Sequence, residues 1–134
     1  MNLDAPISSI MTTNVECIGP EQKLVDLKHI YERPNFHSHV PVIEQGQLTG
    51  IVSLINFMHA IHDASLDDNE LVYQEMIVED IMTLNPMSVG PETPIREVVE
   101  RLSKGDFHSI IIEDENRAVL GIVTTADLLK MMLK

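Results

Sequence analysis

Cysteine is nearly missing from these 134 residues, with Cys17 standing alone. One thiol cannot close an intrachain disulfide, so nothing points to an oxidising compartment or a cysteine-rich zinc module. Basic side chains are scarce as well, nine Lys and Arg against 21 Asp and Glu, for a net charge of −12. A field of that sign repels nucleic-acid phosphates and anionic lipid, which argues against DNA, RNA or a membrane surface as partner. No run approaches the roughly 18 apolar residues of a membrane helix. The start, Met1 to Thr13, has neither a basic opening nor the apolar stretch of about 7 to 15 residues that marks a secretory signal. The expectation is an acidic cytoplasmic protein.

Catalytic signatures are missing too. There is no Gly-x-Ser-x-Gly elbow, no phosphate-cradling glycine loop and no basic neighbour to activate Cys17, so no enzyme is expected. Six histidines invite a metal reading, and His59, His62 and Asp63 share a helical face. Yet neither His-Glu-x-x-His nor paired cysteines occur, and two or three exposed donors do not make a zinc site. His37 and His39 alternate along a strand and make a slightly better pair, still only two ligands. No metal is expected, although a metal-binding module acting through the histidines stays as an alternative.

What the chain has is a normal globular composition, 44% hydrophobic and 22% charged, in a length near the roughly 100 to 200 residues of one domain. It also has a repeat. Ile10-Met11-Thr12 returns as Ile81-Met82-Thr83, Gly19-Pro20-Glu21 as Gly90-Pro91-Glu92, Phe36-His37-Ser38 as Phe107-His108-Ser109, and Gly50-Ile51-Val52 as Gly121-Ile122-Val123, each 71 residues on. A common spacing for all of them signals duplication. The reading is a first repeat over residues 1–62, an acidic helical connector over 63–76 that stays in water, and a second repeat over 77–134. A repeat that small is marginal alone, so the copies are expected to form one module.

Each copy reads β-α-β-β-α, an α/β (α+β) class. A short extended lead-in ends at a Gly-Pro turn. Apolar residues at helical spacing follow, Leu24, Leu27 and Tyr31 or Ile95, Val98, Val99 and Leu102. Next come a brief β-branched strand, His39 to Ile43 or Ser109 to Ile112, a polar turn, and a second strand, Leu48 to Val52 or Val119 to Val123. That strand runs into a helix capped by Ser53 or Thr124.

In order and spacing, Ile-Met-Thr at each lead-in, His39-Val40-Pro41-Val42-Ile43, and Gly121-Ile122-Val123-Thr124-Thr125-Ala126-Asp127 make the chain resemble the tandem cystathionine-beta-synthase (CBS) domain pair, or Bateman module, over nearly its full length. The resemblance implies two β-α-β-β-α units with mixed three-stranded sheets around a pseudo-twofold axis. It also implies a regulatory, stand-alone module that binds an adenosine-containing ligand, AMP, ADP, ATP or S-adenosylmethionine, in a cleft between repeats and passes its state to an unknown effector protein. By the same carry-over Thr124 and Asp127 would meet the ribose, with Ser53 and Asn56 as the weaker equivalents in copy one, since an amide brings no charge. Thr12 and Thr83 would line the cleft, and Ile51 and Ile122 would flank the adenine.

The arginine that such pairs often place before the first strand is missing. Ser38 and His39, and His108 and Ser109, stand there instead, so a phosphate would rely on His39, His108 and the helix N-termini. A ligand-free module that docks a partner is the alternative. Relatives' assemblies suggest a homodimer, with Leu128, Leu129, Met132, Phe57 and Ile61 as contact candidates.

Overall fold

A computed structural model describes residues 2–134. The architecture is α+β, with two three-stranded sheets and five α-helices among the described residues. The chain divides into two compact units whose boundaries cut across the repeats. One unit is Glu16–Asn85, and the other joins the N-terminal residues up to Val15 to Pro86–Lys134.

In Glu16–Asn85, α1 (Leu24–Tyr31) is followed by the hairpin of β1 (His39–Glu44) and β2 (Gln47–Ser53), then α2 (Leu54–Ala60), α3 (Leu71–Glu75) and β3 (Thr83–Leu84). The hairpin turns on Gln45 and Gly46, both at positive φ (53° and 79°), the geometry whose twist matches that of the flanking strands. The sheet order is β1-β2-β3, all antiparallel, and Ile18 adds a parallel bridge to Val42. Leu24, Leu27 and Tyr31 bury as their spacing predicts, packing with Val40, Val42, Val52, Phe57 and Tyr73. Phe57 and Ile61, candidates for a dimer face, are core residues at 4% and 9% exposure.

Residues 63–76 differ from a solvated helical connector. Only Leu71–Glu75 is helical, and Tyr73 is fully buried against Phe57. The Asp68 carboxylate accepts from the ammonium of Lys28, a residue 4% exposed on α1.

In the other unit, β4 (Ser88–Val89) runs parallel to β5 (Ser109–Glu113), which pairs antiparallel with β6 (Val119–Thr124). The helices are α4 (Ile95–Ser103) and α5 (Thr125–Met132). The core joins Ile7 to Ile95, Val98, Leu102, Ile110, Ile112, Val123 and Leu128. The sequence order β-α-β-β-α holds in each copy, with the first strand of copy one reduced to the Ile18 bridge.

The cross-cutting arises at the Ile-Met-Thr segments. Thr12 of copy one bridges Ile122 of copy two, and Thr83 of copy two pairs with Ile51 of copy one. Glycine makes this approach practicable. A Cβ on Gly121 would lie 2.7 Å from both Met11 Sδ and Thr12 O, and one on Gly50 would lie 2.9 Å from Thr83 O. The duplicated Gly-Ile-Val is therefore a docking surface for a strand from the other copy.

Candidate functional site

The site in the unit that ends the chain grows from the junction of β6 and α5. At Thr124 the backbone is still extended (φ −109°, ψ 163°) and the next residue begins the helix. Thr124 Oγ1 accepts from Asp127 N at 3.1 Å, and Asp127 Oδ2 accepts from Thr124 N at 2.9 Å. This reciprocal capping box satisfies two helix-end donors and sets a carboxylate at the positive end of the helix dipole.

Strand pairing brings the remaining candidates alongside. Ser109 lies opposite Thr124, His108 O accepts from Thr125 N at 3.0 Å, and Thr12 exchanges both backbone hydrogen bonds with Ile122 at 2.9 and 3.0 Å. Thr12, His108, Ser109, Ile122, Thr124 and Asp127 thus form one connected patch. Ser109 and Ile122 are buried at 7% and 1%, and His108 is exposed.

Glu16–Asn85 repeats the arrangement with different chemistry. Ser53 Oγ accepts from Asn56 N at 3.0 Å and donates to Asn56 Oδ1 at 2.5 Å. Asn56 therefore spends its carbonyl on the cap hydroxyl and offers no charge. Ile51 pairs with Thr83, His39 lies opposite Ser53, and Ser38 O accepts from Leu54 N at 2.7 Å. Ser38 Oγ also meets His39 Nδ1 at 3.1 Å.

These pairings set the register between copies. Ser38 corresponds to His108, and His39 to Ser109, one residue away from the alignment of the Phe-His-Ser triplets. Copy one carries the additional residue in the loop after α1. Which copy supplies each threonine is not legible along the repeat, although the two glycines signal the close approach of a strand.

Charge is arranged unlike a phosphate site. Five of the nine Lys and Arg are committed to ion pairs: Lys28 to Asp68 and Glu32, Arg33 to Glu16, Arg96 to Asp4, Arg101 to Glu97, and Arg117 to Glu113. None of the nine lies on β1, β2, α2, β5 or β6.

Metal ligation is equally poorly supplied. Among the described residues, one His/Asp/Glu group, His29, Glu32 and Asp68, places its donor atoms within 4.8 Å of one another. Lys28 Nζ already sits 2.7 Å from Asp68 and 2.8 Å from Glu32, so a cation of the protein's own fills the place. His62 turns Nδ1 to His59 O (2.9 Å) and Nε2 to Asp63 (3.0 Å), on the exposed surface. Burial pushes the Cys17 thiol up, away from a reactive thiolate.

Known proteins agree with this architecture. The CBS domain family model matches twice, over residues 7–63 and 78–134. An uncharacterised protein of Methanocaldococcus jannaschii is 26% identical over 135 residues, covering 98% of this chain and 46% of that protein. The chain spans less than half the length of the curated relatives it matches. A solved CBS domain pair in complex with 5′-methylthioadenosine and S-adenosyl-L-methionine superposes with a TM-score of 0.77 at 22% identity, covering 95% of this chain and 94% of that one. CBSX2 in complex with AMP does so at 0.78 and 21%, covering 96% of each. At those identities the likeness establishes the fold.

Proposed function

Because the chain belongs to the CBS domain family, we propose that it is a non-catalytic regulatory module that binds an adenosine-containing ligand and passes the bound state to another protein. The carrying observation is the Thr124 and Asp127 cap beside Ile122. One Asp127 oxygen closes the capping box. A carboxylate has about four acceptor positions, so it retains capacity for the two hydroxyls of a ribose. Ile122, 1% exposed and bonded through its backbone to Thr12, forms the apolar floor under the cap, and the half-buried Thr12 borders it. The bound forms of the two solved relatives, AMP in one and a methylthioadenosine with S-adenosylmethionine in the other, support the same ligand class.

Thermal melts with adenosine, AMP, ADP, ATP, S-adenosylmethionine and NAD test the reading. A ligand at about a hundred times its Kd adds roughly 2.7 kcal/mol to stability. Asp127→Ala is expected to abolish most of the shift and Asn56→Ala little of it, since only copy two carries a charged acceptor. No shift with any adenosine compound at millimolar concentration favours the other reading, a ligand-free module that docks a partner protein. Asn56 and the missing phosphate-binding arginine motivate that alternative.

A further inference from the structure

Segment 63–76 turns its apolar residues in opposite directions. Tyr73 is fully buried, while Leu66 and Leu71 stand 70% and 69% exposed. A single exposed leucine is ordinary surface. These two sit on a loop that is bonded to itself. Ser65 N and Oγ donate to Glu70 Oε1 at 3.3 and 2.9 Å, Glu70 N donates to Asp67 O at 3.0 Å, and Gln74 Nε2 donates to Asp68 O at 2.9 Å. Ser65 and Glu70 are the chain neighbours of Leu66 and Leu71, so their bond sets the two leucines on the legs of one closed loop. Asp68 anchors that loop to α1 through Lys28, and Tyr73 anchors it to the core. The leucines are thus held in water on backbone that is already ordered, and a surface ordered beforehand loses less conformational entropy when a partner covers it.

Charge in this unit is of one sign. Glu16–Asn85 has 12 Asp and Glu against three Lys and Arg, a net of −9, whereas the rest of the chain has nine against six, a net of −3. Of the three cations, Lys28 and Arg33 are held in ion pairs. Asp63, Asp67 and Glu75 are exposed on the same segment as the leucines. Acid alone is a solvated face. Here it accompanies two ordered apolar anchors.

We infer that the outer side of segment 63–76 is a docking surface for a basic amphipathic segment of the effector protein, with apolar side chains on Leu66 and Leu71 and lysines or arginines facing Asp63, Asp67 and Glu75. The inference rests on the reading of the chain as a regulatory module that signals to another protein, and it names the chemistry of that contact. It does not depend on which ligand binds. Charge complementarity selects the occupant: a second copy of this chain would bring the same negative surface and be repelled, whereas a basic segment is steered in and its apolar side removes both leucines from water.

Fluorescence anisotropy on the whole chain tests it with three labelled peptides of about four helical turns. One carries leucines and lysines at helical spacing, the second has serine for each leucine, and the third has glutamate for each lysine. The leucine-lysine peptide is expected to bind about tenfold more tightly than either control, and to weaken as NaCl rises from roughly 50 to 300 mM. Leu66→Ser with Leu71→Ser should lose about tenfold of that affinity at an unchanged urea midpoint, because both side chains already stand in water in the free protein. Leu129→Ser with Met132→Ser, at residues exposed on α5, should lose none. If the serine-lysine peptide binds equally well, the attraction is charge alone and the docking surface falls. It falls also if the α5 variant loses the affinity and the Leu66 and Leu71 variant keeps it, or if no peptide binds. The melts with adenosine compounds are run without peptide, so a failed docking surface leaves the ligand reading standing, and an absent ligand shift leaves the docking surface standing.

Discussion

At the scale of single residues, two glycines and one aspartate decide most of what is distinctive. Gly121 holds its place because Met11 Sδ and Thr12 O lie 2.7 Å from where a Cβ would be, and Gly50 does the same under Met82 and Thr83. Gly121→Ala is expected to cost about 1 to 3 kcal/mol, since a backbone oxygen cannot swing aside as a flexible side chain can. Gly90→Ala, with nothing within 4 Å and no positive φ, serves as the near-neutral control. Urea unfolding of both variants checks this, and equal midpoints would remove steric contact as the reason for Gly121. The triplet Gly-Ile-Val was visible in the sequence as a duplication. Its purpose was not, because nothing along one chain tells which copy's strand arrives at a glycine. Asp127 was legible at once as a residue, but its bond to Thr124 N needed coordinates, and that bond changes the chemistry expected of the helix end.

Among elements, the strands and long helices were readable and the docked connector was not. Short β-branched runs predicted β1, β2, β5 and β6 to within a residue or two of their observed spans, and the caps at Ser53 and Thr124 hold. The segment 63–76 reads as soluble acid because its visible apolar residues include Leu66 and Leu71, which are indeed exposed at 70% and 69%. Its real anchors are Tyr73, whose hydroxyl donates to Ser65 O at 2.6 Å, and Asp68, paired with a buried lysine. The Lys28 ammonium stands 5.6 Å over the Tyr73 ring. Hydrogen bonds to Asp68 and then Glu32 hold Lys28 above its ordinary pKa, and bonds from Lys28 and then His29 hold Asp68 below its own.

A depressed carboxyl contributes stability that is present above its unfolded pKa near 4 and is lost as pH falls through the folded value. The raised lysine contributes stability that is fully present below about 10.5 and is lost as pH rises through the folded value. Asp68→Asn should therefore be less stable than the wild type at pH 7, and the gap should close as pH drops below about 4. Urea midpoints measured from pH 7 to pH 3 check it. A gap constant across that range means the carboxylate charge is not what docks the segment.

For the whole molecule, charge and apolar surface oppose each other in one expectation, that the chain forms a homodimer. On α5 and its cap, Leu129, Met132 and Leu133 are 59%, 65% and 88% exposed, a spacing of three and four residues that makes one stripe. Beside the stripe lies an apolar cavity of about 410 Å³ lined in part by Leu3, Val99, Leu102 and Met131. An apolar stripe left in water is a standing cost that self-association would relieve. Of the residues first considered for such a contact, Leu129 and Met132 remain available, whereas Leu128, Phe57 and Ile61 are spent on the cores. Against association stands the repulsion between two chains of net charge −12, long-ranged at low salt and screened within roughly 8 Å at physiological ionic strength. The dimer should therefore tighten as salt rises from about 0.01 to 0.15 M, opposite to an interface held by ion pairs. Light scattering at tens of micromolar should give about twice the 15.1 kDa chain mass, and the double variant Leu129→Asp with Met132→Asp should return the monomer while retaining the fold. A single-chain mass for the unaltered protein at every salt concentration would mean that the α5 stripe faces something other than a second copy of itself.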